Sequence, residues 1–139
     1  MDLVGRKTIS DNGLGMNELI SEMHDCANKK SLNEQISIAQ LNRFTESLNA
    51  LENVTLLVLN NAEKKQHSGQ IAFDFLMMAG TITATWQMLK SLDKAKIAFE
   101  NNTVSSDFFE EKSKSVKHFL DFILPRYLSH FATISALSS

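Results

Sequence analysis

Apolar side chains recur along this chain in steps of three and four, the spacing that lines one face of a helix, and no run shows the apolar/polar alternation of a half-buried strand. Four helices follow from that rhythm. The first covers about Met16 to Asn28 and carries Met16, Leu19, Ile20, Met23 and Ala27 on one face; the Asp11-Asn12-Gly13-Leu14-Gly15 segment before it predicts a turn. The second runs from about Asn33 to Lys64, with Ile38, Leu41, Phe44, Leu48, Leu51, Thr55 and Val58 in one stripe. After a turn at Gln66-His67-Ser68-Gly69, the third runs from about Gln70 to Glu100 on Ile71, Phe75, Met78, Ile82, Trp86, Leu89 and Leu92, and Asn101-Asn102-Thr103 ends it. The fourth begins near Asp107, whose pairing with Glu110 predicts a cap. Its stripe is Val116, Phe119, Leu120, Ile123, Tyr127, Phe131 and Ile134.

Pro125 lies inside that last run, where it frees the carbonyl of Asp121 and predicts a bend; two helices broken at Pro125 is the alternative. Helices of this length with short connections bury their stripes only against one another. The predicted fold class is therefore all-α, an antiparallel, up-and-down four-helix bundle with neighbours crossing near ~20°. Residues 1–10 are too short to fold by themselves.

Composition narrows the function. A chain of 139 residues makes one domain with a core of its own. Its 14 basic and 16 acidic residues leave a net charge of -2, which provides no field to draw nucleic acid or an anionic membrane. The lysine clusters Lys64-Lys65, Lys94-Lys96 and Lys112-Lys114-Lys117 stand beside acidic residues, without interleaved aromatics. The longest nearly uncharged stretch, Phe75 to Met88, is shorter than the ~20 residues that span a bilayer. The single cysteine, Cys26, has no internal disulfide partner, and the N-terminal residues lack the pattern of a signal peptide, so the expected location is cytoplasmic.

Candidate chemistry is sparse. His24, His67, His118 and His130 have no histidine partner at the three- or four-residue spacing of a helical metal site; His118 and Asp121 are three apart and are expected to be solvated. Cys26, two residues from His24, falls beside the apolar face of the first helix and is expected to be a core thiol. Gly13-Leu14-Gly15 lacks the preceding strand and third glycine of a dinucleotide loop. The carboxylate pairs Glu110-Glu111 and Glu18/Glu22 are expected on solvated faces. No catalytic, cofactor-binding or metal-binding residue is therefore expected. The last two helices carry a surplus of large apolar residues, among them Phe73, Phe75, Met77, Met78, Trp86, Met88, Phe108, Phe109, Phe119, Phe122 and Phe131, of which Phe73 and Phe122 lie off the main faces. Core filling, docking onto another domain or subunit, and an acyl-chain pocket inside the bundle all fit this surplus.

Several of these residues resemble a known family. Asp2-Leu3-Val4-Gly5-Arg6-Lys7 is similar to the segment that follows the catalytic loop in the larger, bacterial-type acyl-CoA dehydrogenases, and Asp11-Asn12-Gly13 falls at that family's acidic, Gly-rich turn. Phe75-Leu76-Met77-Met78-Ala79-Gly80 followed by Trp86 resembles the family's Tyr-Leu-x-Leu-x-Gly helix with its Gly-Trp pair, with Thr85 in place of the glycine. Phe109-x-x-Lys112, Phe119 and Leu124-Pro125 resemble its last helix. Residues 31–65 carry no such motif.

The resemblance implies that residues 1–12 are the remnant of a preceding dehydrogenase helix and turn, and that 13–139 form the C-terminal four-helix-bundle domain. It also implies that the catalytic glutamate and the FAD-binding layers of the parent enzyme, which would remove an α-proton from an acyl-CoA and pass the β-hydride to FAD, are not in this chain. The expected function is that of a non-catalytic accessory domain, with the catalytic body of such a dehydrogenase or a second copy of itself as partner and no cofactor of its own. A stand-alone helical interaction module and an acyl- or lipid-binding bundle are the rival expectations.

Overall fold

The computed structural model describes residues 13–61 and 68–138, and all regular structure among them is helical. The elements are α1 (Leu14–Ala27), α2 (Lys30–Gln35), α3 (Ile38–Asn60), α4 (Ser68–Glu100), α5 (Ser106–His118), a π-helical turn (Phe119–Ile123), a 3-10 turn (Leu124–Arg126) and α6 (Tyr127–Leu137). The proposed remnant at 1–12, Gln66-His67 of the expected turn, the end of the second predicted helix and the Lys64-Lys65 cluster lie outside the described residues, and Ser68-Gly69, expected in that turn, begin α4 instead.

Two local signals moved the boundaries. The helix expected from Asn33 to Lys64 is divided at Ile36-Ser37, both in extended conformation. Ser37 starts α3 with a capping box: its hydroxyl accepts from the Gln40 amide N–H, and the Gln40 side-chain oxygen accepts from the Ser37 N–H. Ile36 is buried at the break, whereas Ile38, expected in the core stripe, is 76% exposed because it occupies the first turn beyond the cap. The cap of α5 is likewise Ser105, whose hydroxyl accepts from the Phe108 N–H, and not the expected Asp107–Glu110 pair; Asp107 lies within the first turn, where a carboxylate favours the helix N-terminus.

The last helical stretch is neither uniform nor cleanly broken. Proline has no N–H to give the carbonyl four residues back, and its ring crowds that carbonyl. Ahead of Pro125 the ladder widens, with the Leu124 N–H reaching the Phe119 carbonyl, and after it the ladder tightens, with the Tyr127 N–H reaching the Leu124 carbonyl.

The predicted stripes meet in one core. Ile20, Met23, Leu41, Phe44, Leu48, Leu51, Val54, Phe75, Met78, Ile82, Leu89, Leu92, Val116, Leu120, Leu124 and Ile134 are buried together. Packing joins α1 to α3 and α4, α3 to α4 and α6, and α4 to α5 and α6, so α4 touches most of the other elements.

Candidate functional site

Polar groups that the sequence left scattered are drawn into pairs between helices. Asp74 is 4% exposed in the otherwise uncharged first half of α4. Its carboxylate accepts from the Gln70 amide (2.6 Å) and pairs with His130 Nδ1 of α6 (2.6 Å). With Asp74 as acceptor, Nδ1 is the ring nitrogen that carries the proton. The Phe73 ring meets the His130 ring edge-on at 6.5 Å. A buried carboxylate without partners would cost several kcal/mol, so these two bonds are what make Asp74 tolerable there. Fifty-six positions separate Asp74 from His130, which is why helical spacing found no partner for that histidine.

A second set ties α2 to the far end of α4. Ser31 donates to Asp93, Lys29 stands 3.6 Å from the same carboxylate, and Lys96 pairs with Glu34 and, at 3.8 Å, with Glu100. The ion pair holds the Glu34 carboxyl below its ordinary range and the Lys96 ammonium above its own. At the π-helical turn, Asp121 accepts from Arg43 (2.7 Å) and from Gln40 (3.1 Å), both on α3. It is thus bonded across elements, not merely solvated as expected, while His118 stacks on Phe122 at 4.9 Å.

Cys26 is 5% exposed, and burial pushes its thiol up against the opposing pull of Lys29. Glu18, Glu22, Glu110 and Glu111 are exposed, with Lys114 3.7 Å from Glu111. His24 and Glu52 both line a cleft of about 270 Å³ between α1 and α3, together with Ile20 and Leu56. Among the described residues no group of three or more His, Cys, Asp or Glu is placed to hold a metal ion. His67 lies outside them.

The glycine turn at the start of α1 is explained by packing. Gly13 has φ 80°, and a Cβ there would stand 3.0 Å from Leu59 Cδ1. Its residue type is accounted for without a phosphate. A further cleft, of about 170 Å³, is lined by Arg43, Glu46, Leu124, Pro125, Tyr127 and Leu128. Both clefts fall below the ~300–1,000 Å³ typical of small-molecule pockets.

What the molecule does present is exposed apolar surface. Phe73 (53%) and Phe122 (63%), the two aromatics placed off the main faces, are open to solvent, as are Leu76, Met77, Phe108 and Leu128. Thr85, the departure from the Gly-Trp pair, is buried and donates its hydroxyl to the Thr81 carbonyl. No helix among the described residues is long and apolar enough to cross a membrane.

No curated protein and no solved structure matches the chain. The family model described as acetyl-CoA dehydrogenase C-terminal like matches residues 19–139, from within α1 to the last residue. That match takes in every element that builds the core and all three interhelical polar ties, and by it the chain belongs to the acetyl-CoA dehydrogenase C-terminal-like family.

Proposed function

We propose that this chain is a non-catalytic accessory domain of an FAD-dependent acyl-CoA dehydrogenase and that it docks on the enzyme's catalytic body. The parent reaction would be the α,β-dehydrogenation of an acyl-CoA, with FAD and the proton-abstracting base on that body. The observation that carries the reading is the family match over residues 19–139, joined to a surface with exposed aromatics and a chemistry spent on joining helices. For the contact itself the α6 side of the Pro125 region is the best-formed place. Phe122 and Leu128 stand exposed there, near an apolar cleft floored by Leu124 and Tyr127 and rimmed by Arg43 and Glu46. A partner side chain inserted in such a cleft, ringed by polar groups, is the usual anatomy of an interface anchor.

The scaffold that presents this surface is, on our reading, an up-and-down bundle whose last helix bends at Pro125. Support comes from the crossing order of the contacts. Near its start α4 meets α6 (Asp74 with His130), and at its end it meets α5 (Phe99 with Phe109, 5.2 Å), as antiparallel neighbours do. Location in the cytoplasm belongs to the same proposal.

The test is co-production of the chain with an acyl-CoA dehydrogenase catalytic body that lacks a domain of this family. Co-purification with that body is expected, with Phe122→Glu and Leu128→Glu together weakening it at least tenfold. Absence of any complex, or FAD bound stoichiometrically by the chain alone with oxidation of an acyl-CoA, would overturn the reading. A domain that binds only proteins other than dehydrogenases would establish the stand-alone interaction module instead. An acyl- or lipid-binding bundle would instead show a retained ligand in native mass spectrometry of the chain as purified.

A further inference from the structure

The outward face of α4 lacks what outward faces of helices carry. A helix in a water-soluble bundle normally turns charged residues to solvent opposite its core stripe. In α4, Asp74 is the one charged residue before Lys90, and it points inward. The solvent side from residue 69 to residue 91 is instead Gly69, Gln70, Phe73, Leu76, Met77, Gly80, Ala84, Gln87 and the half-buried Thr83 and Ser91. At ~1.5 Å per residue this uncharged strip is ~33 Å long. Positions 73, 77, 80, 84 and 87 follow one another by four, three, four and three, the repeat that keeps a seam facing a second helix.

The sizes along the strip are ordered. Phe73, Leu76 and Met77 fill its first half, and Thr83, Ala84, Gln87 and Ser91 its second, with Gly80 between. If two copies of α4 run antiparallel about a two-fold axis at Gly80, Phe73 of each faces Gln87 of the other, Leu76 faces Ala84, Met77 faces Thr83, and the glycines meet. Leu76 and Met77 then lie over small side chains, as ridges fill grooves, and Phe73 lies along the uncharged, flexible Gln87. In parallel register Phe73 and Met77 would oppose their own copies, and the small half would be left with gaps. Two-fold self-pairing uses one patch twice, and this patch is self-complementary only in that antiparallel sense. Being uncharged, it brings no like charges together, whereas each copy as a whole carries -2.

We infer that the uncharged face of α4 is a homodimer interface, in which a second copy of this chain packs antiparallel across Gly80. The surface is distinct from the Phe122–Leu128 patch, so the inference stands apart from the docking reading. Phe73 is held for the contact by its edge-on packing against His130, itself fixed by Asp74. A single helix-to-helix seam of this length covers less than the ~800 Å² per partner of a standard interface, so the pairing of the isolated chain belongs in the micromolar range.

Sedimentation of the chain from about 1 μM to about 1 mM tests this, with a mass rising from monomer to dimer as the expected result. Gly80→Leu is the diagnostic variant. A Cβ at Gly80 meets nothing within 4 Å in the monomer, so the fold accepts the side chain, and a helix gains from losing glycine. At the crossing point the same side chain would force the helices apart, so the dissociation constant should rise at least tenfold while the thermal midpoint holds or increases. In a Cys26→Ala background, Gly80→Cys should cross-link to its own copy on oxidation. Phe73→Cys should do so only when combined with Gln87→Cys. A chain that stays monomeric at the highest concentration, a Gly80→Leu variant that pairs as tightly as the parent, or efficient cross-linking of Phe73→Cys alone would each overturn the inference.

Discussion

Cys26 shows how a single residue's chemistry is set by its surroundings. Helical spacing places it beside an apolar face, and the structure buries it to 5% exposure with the thiol pushed up by desolvation. Since only the thiolate is nucleophilic, a disulfide reagent at pH 8 should label the folded chain roughly two orders of magnitude more slowly than the chain in denaturant. Labelling at the free rate under native conditions would contradict the burial. The pH dependence has a definite sign. A thiol whose folded value is raised leaves stability untouched below its ordinary range and lowers it as pH rises through and beyond that range. Asp74 and His130 mark the limit of residue-level reading. Each is unremarkable in its own helix, and only the approach of α6 to α4 makes them a pair.

At the scale of elements, capping chemistry outweighed periodicity. The apolar stripe that starts at Ile38 predicts one helix from about Asn33, with no break at Ile36-Ser37. The backbone instead breaks at Ile36-Ser37, because Ser37 and Gln40 satisfy each other's backbone and so make a better start than a continuation. Ser37→Ala should therefore lower stability by about 1 kcal/mol in urea titration, and Ser37→Asp should restore most of it; equal stability of all three would mean the box does not hold the break. The Pro125 region followed its covalent chemistry more closely. A missing N–H and a crowded carbonyl predict a bend there, and the structure shows the ladder widening before Pro125 and tightening after it. That form could not be forecast, because Asp121 is also drawn to Gln40 and Arg43 from a helix eighty positions away.

For the molecule as a whole, one contiguous core links α1 to α6 without a gap that would divide the chain into separate units. Unfolding should then be a single transition, with far-UV circular dichroism and Trp86 fluorescence giving the same midpoint within error. Separated midpoints would show that α1 and α2 open independently, held as they are by the Lys29, Ser31 and Glu34 ties to Asp93 and Lys96. The exposed apolar surface also belongs to this scale. The surplus of aromatics left core filling, docking and an acyl pocket open, while Phe73 and Phe122 were legible as lying off the main faces. The surface's division into a cleft-bearing patch near Pro125 and a long uncharged strip on α4 was not, since that depends on which flank of each helix its neighbours cover.

By itself the sequence determined the helical class, the buried stripes and the family motifs, because each depends on spacing along a few turns or on residue identity. The tertiary structure alone decided which polar groups pair between helices and which apolar residues remain outside the core. Those outcomes depend on contacts between residues tens of positions apart, and a one-dimensional pattern carries no distance between them.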